Sequence, residues 1–80
     1  MGVGFFNGAS GRIEGCDFCD FRNGSGVAVG EPGTSPLVSR NTSRNCKRGV
    51  HILSNMDSSW SLGECNVVNA CERDVLDWRI

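Results

Sequence analysis

The sequence predicts an all-β fold, a right-handed parallel β-helix (a solenoid of stacked coils) with about three coils of 23–25 residues each. Three observations predict it. A Gly-Val pair recurs, a longer apolar motif recurs in the same order at nearly the same period, and turn-forming residues separate short alternating segments. We expect one domain over residues 1–80, with coils at approximately 2–25, 26–48 and 49–73 and a partial fourth coil at 74–80.

The Gly-Val pair marks the start of each predicted coil. The pairs recur at nearly equal intervals of about 24 residues, and they stand at Gly2-Val3, Gly26-Val27 and Gly49-Val50. Asp74-Val75 follows after a similar interval with Asp in place of Gly. Apolar residues at alternate positions after each pair indicate a strand with one buried face. We therefore expect two inward columns, one of Val3, Val27, Val50 and Val75 and one of Phe5, Val29 and Ile52.

The longer motif predicts further strands and a turn within each coil. Its copies are Ile13-x-x-Cys16-x-Phe18-x-x-Phe21, Val38-x-x-Asn41-x-Ser43-x-x-Cys46 and Leu62-x-x-Cys65-x-Val67-x-x-Ala70, and the interval between the last two is one residue shorter than that between the first two. This register predicts inward columns through Ile13, Val38 and Leu62, and through Cys16, Asn41 and Cys65. An inward Asn41 is expected to bond to backbone groups of adjacent coils. Ser43 interrupts the apolar column that it shares with Phe18 and Val67.

Turn residues separate these segments, at Asn7-Gly8, Asn23-Gly24, Pro32-Gly33 and Ser58-Ser59. No stretch keeps a helical apolar period over ten residues or more, so we interpret Val75-Leu76-Asp77 as the start of a fourth coil. Asp77 stands where earlier coils are apolar, which suggests that the regular array stops near this point. Leucine-rich repeats have a similar length, but the leucines here are out of phase with their signature.

The pieces Ile-x-x-Cys-x-Phe, Gly-Val-x-Val and Asn-Cys-x-x-Gly-Val-x-Ile, between Ile13 and Ile52, resemble known parallel β-helix repeats. They look like the repeats of F-box proteins and of carbohydrate-binding and sugar-hydrolase β-helix modules. The resemblance covers nearly the whole chain. It implies the fold but no particular function, because the matching residues build the core.

Composition excludes several classes of function. The net charge is −1, from 8 basic and 9 acidic residues, so no electrostatic footprint for nucleic acid or an anionic membrane is present. No run of 18 apolar residues and no signal-peptide pattern occurs. The expectation is a soluble, cytoplasmic protein that binds neither nucleic acid nor membrane.

Five cysteines raise the questions of disulfides and zinc. In the predicted register Cys16 and Cys65 lie two coils apart, roughly 10 Å, which is beyond disulfide reach. We therefore predict no disulfides, with Cys16, Cys46 and Cys65 as small buried apolar residues and with Cys19 and Cys71 facing outward. Cys16-x-x-Cys19 has zinc-ligand spacing, and Cys46, His51, Cys65 and Cys71 are its possible co-ligands. A single such pair is weak evidence, so no metal and no cofactor are predicted.

Five polar or aromatic residues remain as candidates for contact with a partner or a glycan, namely Asp17, Asp20, Arg44, His51 and Trp60. Asp17 and Asp20, beside Arg40 and Arg44, are also the candidates for a polysaccharide lyase or hydrolase. Their acidic face does not continue, because Asp17 aligns with Thr42 and Asn66 and Asp20 with Asn45 and Asn69. No catalytic residue is assigned. His51 lies between two inward residues and is expected to face solvent, whereas Trp60 and Trp78 are candidates to stack on a sugar or anchor a partner.

The predicted function is that of a non-catalytic scaffold. The chain is expected to dock to a protein partner, or to further β-helix coils, through an end or a lateral face, as a fragment of a longer β-helix or a small subunit of an assembly. The alternative is a carbohydrate-binding or polysaccharide lyase/hydrolase-type β-helix module.

Overall fold

The computed structural model describes residues 1–64, 66–69 and 71–79, and within these ranges the protein is all-β without a helix. The nine described strands are β1 (Val3–Phe5), β2 (Ser10–Glu14), β3 (Asp17–Cys19), β4 (Ser25–Val29), β5 (Ser35–Ser39), β6 (Thr42–Arg44), β7 (Arg48–Ile52), β8 (Val67–Asn69) and β9 (Arg73–Asp77). Over the same residues, the structure contains no helix of the length and hydropathy needed to cross a bilayer.

The strands form three small parallel sheets. Their orders are β1-β4-β7-β9, β2-β5 and β3-β6-β8. Paired residues lie one predicted period apart in the sequence, as in Val3 with Val27, Ile13 with Val38 and Thr42 with Val67. Successive strands of the chain therefore enter different sheets. Each strand pairs with a strand that lies about one predicted period earlier or later in the sequence. The expectation of short, parallel strands at this spacing is confirmed.

The predicted valine column is present in the four-stranded sheet. Val27 aligns with Val3 on one side and with Val50 on the other, and Val50 aligns with Val75. Val27 and Val50 are 1% and 2% exposed. Val75 aligns as predicted but is 43% exposed, because no described strand lies beyond β9 to cover it. Full burial of a valine side chain contributes about 1.5–3 kcal/mol, so this column is a main source of cohesion. The rest of the buried apolar cluster is Phe18, Val29, Val38, Ile52, Met56 and Trp60.

Close packing explains the glycine of the Gly-Val pairs. A Cβ atom on Gly2 would overlap the ring of Phe18, and one on Gly26 would stand 2.7 Å from the Ser43 Oγ and 2.9 Å from the Gly49 carbonyl oxygen. Phe18 and Ser43 are themselves partners in the β3–β6 register. Glycine therefore recurs at these positions because the backbone there packs directly against side chains of the β3-β6-β8 sheet.

Asn41 is 3% exposed and bonds to backbone as predicted. Its Oδ1 accepts from the Cys16 N–H at 3.1 Å, and its Nδ2 donates to the Ile13 carbonyl at 3.0 Å. Both backbone groups come earlier in the chain than Asn41. Ile13 lies near the end of β2, and Cys16 follows that strand. One side chain therefore satisfies a donor and an acceptor where that segment leaves its strand.

The predicted register of the third copy of the longer motif is wrong by one residue. Thr42 aligns with Val67, not with Asn66, and Ser43 aligns with Val68, not with Val67. The third copy is thus as far from the second as the second is from the first. The physical reason is Asn66, which repeats the role of Asn41 by accepting from the Asn41 N–H at 3.3 Å and donating to the Val38 carbonyl at 3.1 Å.

This shift changes the predicted columns of the third copy. Asn66, and not Cys65, follows Cys16 and Asn41. Asp17 aligns with Thr42 and then Val67. The predictions for Cys65 and Ala70, and for the side chain of Val67, lie outside the described residues.

The column through Ile13, Val38 and Leu62 is only partly present. Ile13 aligns with Val38, but residues 61–64 form no strand and the β2-β5 sheet has two strands within the described ranges. Side chains instead meet the outer edge of β5. The Trp60 Nε1–H donates to the Pro36 carbonyl at 2.9 Å, and Asn66 reaches the Val38 carbonyl.

Candidate functional site

Three of the five predicted contact residues share one surface. Asp17, Asp20 and Arg44 are exposed and lie on or just after strands β3 and β6. Asp20 has a positive φ of 66°, its N–H donates to the Arg44 carbonyl, and its carboxylate accepts from the Asn45 amide at 3.1 Å. The surface is therefore polar and ordered. The structure brings neither His51 nor Trp60 to it, because these residues lie on β7 and in the loop after β7.

His51 does not face solvent as the sequence predicted. It is 7% exposed, and its ring lies edge-on to the ring of Trp78 with centroids 4.2 Å apart. Its Nε2 has no hydrogen-bond partner among the described residues. Burial lowers the pKa of His51, and the charge of Arg48 lowers it further. Trp78, which follows β9, provides the cover, so alternation within β7 alone could not have revealed it.

Trp60 is part of the core rather than a free aromatic platform. It is 9% exposed and packs in the apolar cluster, and its indole N–H is used by Pro36. A tryptophan whose N–H is bonded and whose ring is covered offers little surface to a sugar or a partner. Trp78 is the exposed tryptophan, at 50%.

The cysteines Cys16, Cys19 and Cys46 are free thiols. Cys46 is buried as predicted, and its burial is the main cause of the raised pKa of its thiol. Cys71 departs from the prediction of an outward residue, because its Sγ accepts from the Cys46 N–H at 3.4 Å. Among the described residues no three of His, Cys, Asp and Glu cluster in a way that would hold a metal ion.

The end of the molecule built by β1, β2 and β3, here called the N-terminal end, is apolar and incompletely covered. Each of these strands is at the edge of its sheet. Phe18 of β3 is buried at 7% exposure, but the other side chains that pack on the core there are only partly buried, and they are Val3, Phe5, Ile13, Cys16 and Phe21. Their partners in the next strands, such as Val27 and Val38, are 1% and 0% exposed. The sequence predicted docking through an end or a lateral face and did not choose between the two ends.

The opposite end carries a polar clamp. The guanidinium of Arg79 forms a two-point pair with Asp77, with Nε to Oδ1 at 3.0 Å and Nη2 to Oδ2 at 2.8 Å. Its Nη1 donates to the carbonyls of Asp57 and Trp60, both at 2.8 Å. The hydrogen bond from Arg79 lowers the pKa of Asp77. The clamp ties the segment after β9 to the loop after β7.

A cavity of about 270 Å³ opens on the outer side of the four-stranded sheet, and its wall includes Met1, Phe6, Ala28, Arg48, His51 and Leu53. Most of its surface is apolar, with Arg48 and His51 as the ionisable side chains of the wall. Sequence reasoning singled out His51 but gave no sign of the cavity. The cavity depends on residues that are far apart in sequence and of ordinary type.

Compared with protein-family models, curated proteins and solved structures, the chain shows no match.

Proposed function

We propose that the chain is a right-handed parallel β-helix solenoid of about three coils and that it serves as a non-catalytic scaffold which docks another protein through its N-terminal end. The observation that carries the proposal is the group of half-buried apolar side chains on the outer strands of the N-terminal end. Val27 is 1% exposed, whereas Val3, one strand further out, is only partly buried, as are Phe5 and Ile13. Val75, at the other end of the same column, is 43% exposed, but there Arg79 ties the chain to the preceding loop.

The solenoid part of the proposal is supported by the strand pairing. In all three sheets the partner of a strand lies one repeat period away in the sequence, and the intervening chain passes through the other sheets. One winding of the chain per set of strands produces this pattern. Right-handed crossovers between parallel strands are strongly preferred in proteins, which supports that hand. The resemblance to β-helix repeats gives the same expectation.

The docking part is supported by backbone as well as side chains. An edge strand presents unpaired N–H and C=O groups that can add a further strand, and apolar side chains beside such an edge favour burial. Strands β1, β2 and β3 all have this position. The partner is therefore expected to present the edge of a parallel sheet.

The proposed location is the cytoplasm. Its support is the free thiols of Cys16, Cys19 and Cys46, which suit a reducing compartment.

A second copy of the chain is a suitable probe, because β9 is the opposite edge strand of the sheet that begins with β1. Head-to-tail stacking of two copies would keep the strands parallel. We expect sedimentation velocity to show association that grows with concentration, and hydrogen exchange to show that amides of β1, β2 and β3 gain protection. A chain that stays monomeric at every concentration, with no gain in protection, would overturn the proposal.

A pair of matched variants locates the contact. Ile13→Arg places a charge in the N-terminal end, and we expect it to weaken association at least about tenfold. Leu37→Arg changes an exposed leucine on the paired strand β5, 43% exposed, and is expected to leave association unchanged. Circular dichroism of both variants establishes that they are folded. Equal association of the two variants would contradict docking at this end.

A further inference from the structure

The cavity on the outer side of the four-stranded sheet is lined in part by the imidazole of His51. The residue is 7% exposed, and its Nε2 lacks a hydrogen-bond partner among the described residues and is shielded from solvent. The ring therefore forms part of the cavity surface and can report on a bound ligand, whereas recognition of the ligand depends on the other residues of the wall.

The charge around the cavity favours an anion. Arg48 lines it, and its Nε–H donates to the Ser25 Oγ at 2.8 Å, which holds the guanidinium near the wall. Arg73 on β9 is the register partner of Arg48 on β7. Like charges on neighbouring strands repel, and an anion between or beside them relieves that repulsion. The described residues of the wall include no acidic side chain.

The size and chemistry of the remaining wall define the rest of the ligand. Phe6, Leu53 and Ala28 supply apolar surface in the same wall. The volume of about 270 Å³ is below that of most sites for drug-sized molecules, so it suits a ligand of about ten non-hydrogen atoms.

We propose that this cavity binds a small organic carboxylate with an apolar body, its carboxylate against Arg48 and its body between Phe6, Leu53 and Ala28. The site lies on the lateral face of the four-stranded sheet and goes beyond the docking function proposed for the N-terminal end. His51 is the wall residue whose signals report binding.

Phenylacetate is the probe, and its neutral amide, phenylacetamide, is the matched control ligand. His51 is the single histidine of the chain, so its ring resonances report the site without overlap. We expect phenylacetate to shift the His51 ring signals and the amide signals of Ala28 and Leu53 in a saturable manner. We expect the amide to bind at least about tenfold more weakly, because it lacks the charge that Arg48 recognises.

The pKa of His51, followed in the same spectra, gives an independent readout. The charged groups around it are Arg48 on β7, Arg73, Asp74 and Asp77 on β9, and the Met1 ammonium in the cavity wall, while β4 carries none. Bound phenylacetate offsets the positive charge of Arg48, so the pKa of His51 is expected to rise on binding.

Variants decide the assignment. Arg48→Gln is expected to weaken phenylacetate binding at least about tenfold and to abolish the preference over the amide, whereas Arg12→Gln, at an exposed arginine on β2, leaves both unchanged. Ala28→Val narrows the cavity and should weaken both ligands. The proposal is overturned if phenylacetate gives no saturable shift in the folded wild-type chain, if the amide binds equally well, or if Arg12→Gln has the same effect as Arg48→Gln.

Discussion

At the scale of single residues, Asn41 shows how one side chain replaces several backbone partners. It joins the Ile13 carbonyl, the Cys16 N–H and Asn66 while being only 3% exposed. The sequence predicted its burial and its backbone bonds, because a polar residue in an apolar column has to be satisfied inside. It did not predict Asn66 as the next member, because alignment of the apolar residues outweighed the second asparagine.

Asn41→Ala is expected to lower the free energy of unfolding by about 2–4 kcal/mol, since a buried N–H and a buried carbonyl lose their partner together. Equilibrium urea unfolding, followed by tryptophan fluorescence, measures the change. Asn45→Ala removes an exposed amide that bonds to Asp20 and should cost under about 1 kcal/mol. Equal losses for the two variants would contradict the role assigned to Asn41.

The lowered pKa of His51 predicts that the stability of the protein falls at acidic pH. Its pKa is lowered in the folded state, chiefly by burial, so the unfolded chain binds a proton at a higher pH than the folded chain does. Stability from this group is complete above the unfolded pKa of about 6.5 and falls as the pH drops below that value. Thermal unfolding between about pH 7.5 and about pH 5 measures it, and in His51→Phe this part of the loss should disappear. A slope that survives unchanged in that variant would assign it to other groups.

At the scale of elements, the four-stranded sheet could be predicted and the edge of β5 could not. The Gly-Val pairs mark β1, β4 and β7, because a close backbone approach and a core-facing valine leave a periodic trace. Asp74-Val75 marks β9 through the valine alone, although Val75 is 43% exposed. The contact of Trp60 with Pro36 leaves none, since a side-chain donor can reach a carbonyl from many sequence positions. Because such contacts are not visible in the sequence, the apolar pattern placed Leu62 in a strand, and the structure has no strand there.

Trp60→Phe tests how that edge is closed. Phenylalanine keeps an apolar ring but removes the N–H that bonds to the Pro36 carbonyl, and we expect a loss of about 1–3 kcal/mol in unfolding free energy. Trp78→Phe is the comparison variant, at a position 50% exposed, and should cost under about 1 kcal/mol. Chemical unfolding followed by far-ultraviolet circular dichroism measures both, because one tryptophan is lost in each. A Trp60→Phe protein as stable as wild type would show that the N–H bond is dispensable.

At the scale of the whole molecule, the two ends differ in how they are finished. The N-terminal end keeps half-buried apolar side chains. The other end exposes Val75 and Trp78, and there Arg79 and Asp77 tie the chain to the preceding loop. Of the five candidate contact residues, three share a surface, as their sequence proximity implied for Asp17 and Asp20. The burial of His51 and Trp60 required knowledge of how the chain folds back on itself.

Arg79→Met is expected to lower the unfolding free energy by about 2–4 kcal/mol, because it leaves the partly buried Asp77 carboxylate and two carbonyls without their donor. Arg12→Met provides the matched control, since Arg12 pairs with Glu14 at 3.5 Å with 72% of its side chain exposed. Such an exposed pair contributes under about 1 kcal/mol. Urea unfolding of both variants at neutral pH is the measurement. Similar unfolding free energies for the two variants would contradict the stabilising role of the clamp.

The long sequence separation between paired strands, one full repeat period in each case, also governs how the chain folds. No described strand has a partner close to it in sequence, so the entropy of closing a loop is lost each time before the pairing contributes stabilising contacts. Folding in milliseconds to seconds is therefore expected, rather than in the microseconds of helical bundles. During synthesis, β1, β2 and β3 stay unpaired until β4, β5 and β6 have left the ribosome, whereas each strand from β4 onward emerges after its first partner.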